Sequence, residues 1–335
     1  MCAMPESSPA DMLSAFQEIA CRSLSRYDFS SKAKIAELSY SENITYLVED
    51  IEIGRRAVLR VSRPGYHTRA ELDAEALWVQ SIRQDSVITV PLPIKGRNGD
   101  IVQEISSEDG QVFYCMMFEY LTGTMPDEEG SGLPYQFEKL GEITARLHEH
   151  VRNWEQSQSL KRFRWDYDAM LGKNPEWGRQ DGLGVTGKRK ELFQKVAGII
   201  KERLDRFGQS PDRFGLIHAD LRLTNLLVEK NELKVIDFDD CGYSWFLYDL
   251  AASLTFIEHK DYAQTLIQAW LRGYRKARAL SKSEEEEIPT FIMLRRLLMV
   301  AWVKSHEDNE TAQSQGVTYT LETEKLAEKY LRNFG

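Results

Sequence analysis

This chain lacks a net positive charge, closely spaced cysteines and long apolar runs. The formal net charge is −9, which argues against nucleic acid or an anionic membrane as the main partner. The four cysteines are widely separated and form no C-x-x-C pair, which argues against a disulfide framework or a zinc site and is typical of reduced thiols in the cytosol. They are Cys2, Cys21, Cys115 and Cys241.

Targeting and membrane signals are also missing. The start, "MCAMPESSPADML", has neither the basic region nor the apolar core of a signal peptide. No apolar run approaches the length needed to cross a bilayer. We therefore expect a cytoplasmic protein with no membrane partner.

The 335 residues exceed what one compact core usually holds, so the length predicts two domains. Residues 1–120 combine an N-terminal helix capped by Ser8, a small sheet and one inserted helix, and residues 121–335 are mainly helical. This is an α+β arrangement of two lobes, with a cleft between them as the expected site. The predicted strands cover 34–50, 55–63, 88–94, 100–105 and 111–121, and the predicted helices cover 68–85, 134–151, 188–208, 246–280 and 289–309.

The most informative stretch interrupts the helical region: "GLIHADLRLTNLLVEKNELKVIDFDD", residues 215–240. His218, Asp220 and Asn225 form H-x-D-x4-N, and Asp237 ends the next apolar run. The intervening residues predict a hairpin that turns near Asn231 and brings Asn225 and Asp237 together. An amide oxygen and a carboxylate are suitable Mg²⁺ ligands. Asp220 is placed to accept a proton, as in the catalytic loop of protein kinases.

Three other side chains belong to this motif. We expect His218 to hold the loop through backbone hydrogen bonds rather than to bind a metal. Asp249, in "YDLA", either anchors the loop from a helix start or simply caps that helix. Arg222 is a candidate contact for the γ-phosphate or the acceptor.

The upstream half offers candidates for binding the nucleotide. Arg60 ends a β-rich segment and Glu75 lies in the next helix, which matches the strand cation and helix carboxylate of kinases; an unrelated surface pair is the alternative. The backbone of "FEYL", and in particular Glu119 and Leu121, could bind an adenine ring. The alternative is that this sequence is simply the end of a buried strand.

A rival phosphate motif occurs at residues 182–189, "GLGVTGKR". It satisfies G-x-G-x-x-G and nearly satisfies the P-loop pattern. However, a polar loop precedes it instead of a strand, and Arg189 stands where a hydroxyl should bind the metal. We expect a loop that enters a helix.

These residues resemble the aminoglycoside phosphotransferase/choline kinase family. "IHADLRLTNLLV" and "VIDFDDCGYSWFLYDLA" are similar to its catalytic loop and metal-binding segment, and "LGEITARLHEH", "WDYDAMLGKNPEWG" and the strands of the first lobe also match. The resemblance implies a protein-kinase-like fold with a small antiparallel sheet. It also implies transfer of phosphate from ATP, with Mg²⁺, to a small-molecule hydroxyl.

The same resemblance implies roles for single residues. Asp220 corresponds to the catalytic base, and Asn225 and Asp237 to the Mg²⁺ ligands. Arg60 and Glu75 correspond to the pair that orients the phosphates, although Arg replaces the Lys of better-known members. Tyr40 stands where the nucleotide-binding loop of the family often has glycine. We therefore expect Ser41, Asn43 and backbone amides to contact the nucleotide phosphates.

The acceptor is expected to be an amino alcohol, amino acid, sugar or aminoglycoside-like molecule. Only "FDDCGYSWFLY" separates Asp237 from Asp249, too short for the activation segment of a protein kinase. Asp239, Asp240 and Trp165 would suit an amino or hydroxylated substrate, or the carboxylates merely balance nearby arginines. A stress-response type protein Ser/Thr kinase and a non-catalytic pseudokinase remain the alternatives. The sequence does not predict an oligomeric state.

Overall fold

A computed structural model describes residues 9–41, 43–173, 175–177 and 182–335. The chain forms two compact units, one of Met1–Ser81 with Pro91–Leu121 and one of Ile82–Val90 with Thr122–Gly335. The first unit contains one sheet and the second contains two small ones, and each unit has its own buried side chains. Ser8, the predicted cap of the first helix, lies outside the described residues.

The first unit is built on an antiparallel sheet. The strand order is β1-β2-β3-β6-β4, and β5 also pairs with β6. Helix α1 packs on this sheet, and the ring of Phe16 meets that of Phe113 edge to face at 5.6 Å between centroids. The elements are α1 Pro9–Leu24, β1 Lys34–Tyr40, β2 Asn43–Asp50, β3 Arg55–Ser62, α2 Arg69–Gln84, β4 Pro93–Ile94, β5 Gln103–Ser106 and β6 Val112–Glu119.

One predicted strand is much shorter than expected. The apolar run 88–94 contains only the two-residue β4, because Pro91 and Pro93 have no N–H group to donate to a neighbouring strand. Leu92 between them still exchanges hydrogen bonds with Glu119: its carbonyl accepts from the Glu119 N–H at 2.9 Å, and its N–H donates to the Glu119 carboxylate at 3.2 Å. The segment therefore continues the edge of the sheet with little regular pairing.

The second unit is mainly helical. Helices α3 and α7 approach very closely: a Cβ on Gly141 would lie 2.0 Å from the Trp270 carbonyl oxygen, and one on Gly273 would lie 1.8 Å from that of Glu138. This contact requires glycine at both positions. The helices are α3 Leu133–Asn153, α4 Tyr167–Leu171, α5 Gly187–Phe207, α6 Leu247–Ser253, α7 Ala263–Tyr274, α8 Lys282–Glu285, α9 Ile288–Ser305 and α10 Glu310–Phe334, and the remaining strands are β7 Phe163–Arg164, β8 Phe214–Ile217, β9 Leu226–Glu229, β10 Glu232–Val235 and β11 Gly242–Trp245.

Two helical predictions need correction. The helix predicted over 246–280 is divided into α6 and α7 by turns, and Phe256 in this connection has a positive φ of 71°, which interrupts regular helix. Helix α10 was not predicted; it contains a kink at Gly316, whose φ of 48° is accessible to glycine without a Cβ clash.

Short strands determine where the polar motif lies. Strands β8 and β11 pair antiparallel, with Ile217 opposite Gly242. Strands β9 and β10 form the predicted hairpin, with Leu226 opposite Val235 and Lys230 at a positive φ in its turn. These two pairings bring residues 218–225 and 236–241 together. Within the described ranges, no helix has the length and apolar character needed to cross a membrane.

Candidate active site

The backbones of the two motif segments are joined directly. The Ile236 N–H donates to the Asn225 carbonyl oxygen at 3.0 Å, so Asn225 and the neighbouring Asp237 lie at one place, as the hairpin predicted. Ala219 and Asp237 adopt left-handed backbone conformations, with φ of 69° and 61°. Such conformations are unfavourable for side chains with a Cβ and are concentrated at functional sites.

The carboxylate of Asp220 is restrained on both oxygens. The Asn225 side-chain amide donates to Oδ2 at 2.8 Å, and Nε of Arg222 lies 3.0 Å from the same oxygen. The Arg295 guanidinium donates to Oδ1 at 2.7 Å. The Asp220 side chain is 10% exposed, so it is largely buried but still reached by solvent.

Arg295 was not predicted to be part of the site. It lies on α9, and its guanidinium also donates to the hydroxyl oxygens of Tyr248 and Thr255, both at 3.1 Å. The sequence did contain a signal: Arg295 and Arg296 are adjacent in a mostly apolar helix, and buried arginines are almost always paired. The sequence alone does not identify the partners.

His218 is fully buried and hydrogen-bonds backbone groups through both ring nitrogens. Its Nε2 lies 3.1 Å from the Ile236 carbonyl oxygen, and its Nδ1 lies 3.3 Å from the Asp220 N–H. The arrangement fits a neutral ring that donates from Nε2 and accepts at Nδ1. Burial lowers the pKa of His218, which favours this neutral form.

Asp249 binds the backbone that precedes Asp220. Its carboxylate accepts from the N–H of Ala219 at 2.7 Å and from that of His218 at 3.3 Å. Nε2 of His148, on α3, lies 3.1 Å from the same carboxylate, and its Nδ1 lies 2.8 Å from the Tyr274 hydroxyl. Asp249 is therefore part of a buried network and not merely a helix cap. Sequence reasoning did not identify His148, whose partners come from distant helices.

Carbonyl groups in the segment after Asp237 accept hydrogen bonds from two side chains, Arg162 and Trp165. The Arg162 guanidinium donates to the Cys241 carbonyl at 2.7 Å and also to that of Asp239. The Trp165 indole N–H donates to the Asp240 carbonyl at 2.8 Å. Trp165, predicted as a possible substrate contact, is buried, and the structure shows it supporting this segment.

In the first unit, Arg60 and Glu75 form a buried ion pair. The guanidinium donates two hydrogen bonds to the carboxylate, at 2.9 and 2.6 Å, and Nη2 also contacts the Met116 sulfur at 3.3 Å. The side chains are only 4% and 1% exposed, which excludes an unrelated surface pair. This planar two-point contact is one that lysine cannot make.

The predicted nucleotide-binding residues lie at strand ends. The Ser41 N–H donates to the Asn43 carbonyl at 2.9 Å across the β1–β2 turn, and the Asn43 side-chain oxygen accepts from the Arg63 N–H at 3.2 Å. Glu119 ends β6, and Leu121 follows two residues later, outside any regular element. The roles of these residues in nucleotide binding stay predictions.

Comparison with known proteins identifies the family. Residues 35–280 match the model of the phosphotransferase enzyme family APH. The chain belongs to this family. The phosphotransferase is also similar to the structure of a microcompartment-associated aminopropanol kinase, with 40% identity, a TM-score of 0.87 and coverage of 95% of this chain and 98% of that one.

Two further comparisons involve amicoumacin kinases. Amicoumacin kinase of Bacillus subtilis (strain 168) is 25% identical over 293 residues, 84% of this chain and 83% of that protein. The structure of amicoumacin kinase hAmiN, in complex with AMP-PNP, Ca²⁺ and Ami, matches with a TM-score of 0.76 and 20% identity over 96% of each chain. These findings confirm the predicted α+β, protein-kinase-like fold and identify the chain as an ATP-dependent phosphotransferase acting on a hydroxyl group of a small molecule.

The side chains at this site fit a divalent cation that takes some of its ligands from the protein and the others from phosphates. The side-chain nitrogen of Asn225 donates to Asp220, which leaves the amide oxygen for a metal, and Asp237 is exposed. Within the described ranges, no group of three or more His, Cys, Asp or Glu side chains could hold a metal.

The glycine-rich segment 182–189 forms a turn into α5. Thr186 is the residue before the helix, and Gly182 packs so tightly that a Cβ would lie 2.3 Å from the Val300 side chain. Nε of Arg189 binds Glu324 at 2.9 Å. The described residues between Trp165 and Arg213 contain no strand.

Proposed function

We propose that Asp220 is the general base in the transfer of phosphate from MgATP to the hydroxyl of a small amino alcohol. The observation that carries the proposal is the meeting of Asp220, Asn225 and Asp237 around one backbone contact, Ile236 to Asn225. A proton acceptor and two hard oxygen ligands at one place are what phosphoryl transfer to a hydroxyl requires.

Each side chain then has a separate task. Asn225 Oδ1 and the Asp237 carboxylate hold Mg²⁺, which neutralises charge on the phosphates when bound. Asp220 orients the acceptor hydroxyl and accepts its proton. Arg222, which pairs with Asp220, contacts the γ-phosphate or the acceptor. Because phosphoryl transfer is loose, most of the acceleration comes from alignment and charge neutralisation.

The ion pair of the first unit supplies the remaining charge. Glu75 fixes the plane of the Arg60 guanidinium through two hydrogen bonds, and the oriented cation binds nucleotide phosphates. Ser41, Asn43, Glu119 and Leu121 contribute the nucleotide contacts predicted from the sequence. ATP and Mg²⁺ are the proposed cofactors.

An amino alcohol is the proposed acceptor for two reasons. The relative with 40% identity over nearly the whole chain is an aminopropanol kinase. Asp239 and Asp240 also follow Asp237 closely in the chain, and carboxylates can bind an ammonium group while Asp220 faces the hydroxyl. The short connection from Asp237 to α6 favours such a small acceptor over a protein substrate.

The test is ADP release with MgATP and a panel of acceptors. The panel contains 1-amino-2-propanol, ethanolamine, choline, homoserine, a hexose, an aminoglycoside and a generic protein substrate. We expect strong stimulation by one of the small amino alcohols, with the phosphate ester identified by ³¹P NMR. Asp220→Asn should remove the stimulation, and Asp212→Asn, an exposed aspartate just before β8, should retain it.

Two results would contradict the proposal. Phosphorylation of the protein substrate without any small-molecule turnover would point to a protein kinase. ATP binding with no turnover on any member of the panel would point to a pseudokinase.

A further inference from the structure

The base of the proposed reaction is held from a distant part of the chain. Arg295 lies 75 residues after Asp220 and donates to Oδ1 at 2.7 Å. Asn225 donates to the other oxygen, Oδ2, at 2.8 Å. A carboxylate bound on both oxygens from different elements cannot rotate freely about its last side-chain bond.

Arg295 is itself fixed in place. Its Nε donates to Thr255, its Nη1 to Tyr248 and its Nη2 to Asp220. Three acceptors on three nitrogens of one planar group determine both its position and its plane. Thr255 and Tyr248 therefore fix the Arg295 guanidinium, and through it they restrict the orientation of the Asp220 carboxylate.

We propose that Arg295 is a positioning residue for phosphoryl transfer, acting by holding Asp220 in the orientation that receives the acceptor hydroxyl. The proposal rests on the assignment of Asp220 as the base. A displacement of about 1 Å of a reacting group can reduce the rate about 100-fold. Loss of the Arg295 contact should therefore lower kcat and leave nucleotide binding intact.

Arg296 provides a matched control on the same helix. It is also buried, but its guanidinium binds Glu258 at 3.0 Å, the Tyr319 carbonyl at 3.0 Å and the Thr323 hydroxyl at 2.8 Å. These partners join α9 to α10 and to the connection after α6. The two arginines thus have the same side chain, neighbouring positions and similar burial, but only Arg295 contacts the base.

The experiment compares Arg295→Lys and Arg295→Gln with Arg296→Lys and Arg296→Gln. For each folded variant, kcat and the KM values for ATP and acceptor are measured together with the melting temperature. We expect the Arg295 variants to lose roughly 10- to 100-fold in kcat with unchanged KM for ATP, and Lys to retain more activity than Gln. The Arg296 variants should melt at a lower temperature and keep their kcat.

A double-mutant cycle with Asp220→Asn separates positioning from general destabilisation. If Arg295 acts through Asp220, Arg295→Lys should not reduce the residual rate of Asp220→Asn any further. If the Arg295 variants do not fold, Tyr248→Phe removes one anchor of the guanidinium and should also lower kcat without changing the KM for ATP.

Three results would overturn the inference. They are equal kcat losses at Arg295 and Arg296, fully additive losses in the cycle, and an unchanged kcat in a folded Arg295→Gln variant. Full activity of Asp220→Asn would instead refute the proposed function. Loss of activity in Asp220→Asn with normal Arg295 variants would refute this inference alone.

Discussion

The two candidate charge centres of this phosphotransferase are built in different ways. In the first unit, Arg60 and Glu75 form one sealed pair with two hydrogen bonds between neighbouring elements of the sequence. In the second unit, Asp220 is held by side chains from its own loop and from α9. The first centre is a single ion pair, whereas the second is a network of side chains from several elements, so substitutions should affect the two centres differently.

The largest expected effect on turnover comes from a substitution at the proposed metal site in the second unit. Asp237→Ala should reduce turnover by roughly 10²- to 10³-fold or more, because a ligand that helps neutralise the transferred phosphate is lost. Titration of Mg²⁺ in the kinetic assay, with Asp220→Asn as the comparison, checks this expectation.

Asp237→Ala should raise the Mg²⁺ concentration needed for half-maximal turnover, whereas Asp220→Asn should lower kcat at an unchanged Mg²⁺ requirement. Equal changes in metal dependence for both variants would contradict the separate roles of these two carboxylates.

The next effect tests whether the first centre is really a two-residue unit. Arg60→Met should destabilise the protein by about 3–5 kcal/mol, because it leaves the buried Glu75 without a counter-charge. Denaturant unfolding measures the loss. Arg60→Met combined with Glu75→Leu should recover much of this stability but not the affinity for ATP.

If the double variant is as unstable as Arg60→Met alone, the pair has a further essential partner. The Arg60–Glu75 centre would then be a network like that of Asp220. If the double variant binds ATP normally, Arg60 does not orient the phosphates.

The difference between the two centres also explains which contacts could be predicted from the sequence. Strand patterns and one hairpin turn were enough to bring Asn225 beside Asp237, because these contacts are local. Arg60 and Glu75 were found for the same reason: they lie on a strand and the helix that follows it. The length of the 88–94 strand was wrong because prolines removed its donors.

The contacts of Arg295, His148 and Arg162 could not be predicted in this way. Each depends on where a distant helix or strand packs, and no local periodicity encodes that placement. Arg162, for example, binds the carbonyl of Cys241, 79 positions later in the chain. The sequence therefore predicted the local contacts of the motif, including the loop contacts of His218 and Asp249, and missed the side chains that reach it from distant elements.

A smaller effect tests whether the second centre is a network. Asp249 accepts three hydrogen bonds, from the N–H groups of His218 and Ala219 and from His148. Asp249→Asn replaces one acceptor oxygen with a donor and should destabilise the protein by about 1–3 kcal/mol. It should also lower kcat, because Asp220 follows this backbone directly.

Parallel measurements of unfolding and of kcat on folded protein check both effects. Lost stability with an unchanged kcat would show that Asp249 supports the fold without affecting Asp220.

The smallest effect concerns the pH dependence that burial gives to this network. Burial lowers the pKa of His148, although hydrogen bonding to Asp249 opposes the shift. Below pH of about 6.5, the unfolded chain therefore binds a proton that the folded protein excludes. Stability should fall as the pH decreases from this value, by at most about 1.4 kcal/mol per pH unit, until the pH is below the pKa in the folded state.

His148→Gln removes this titration, so the variant isolates it from all other ionisable groups. The difference in free energy of unfolding between wild type and His148→Gln should be constant above pH 7.5 and should shrink as the pH falls below about 6.5. A difference that stays constant from pH 8 to pH 5 would mean that His148 has the same pKa in both states. The Asp249 network would then hold the loop without the pH sensitivity that the complete burial of His148 predicts. The Asp249 network and the Arg60–Glu75 pair would then differ in geometry but not in their response to pH.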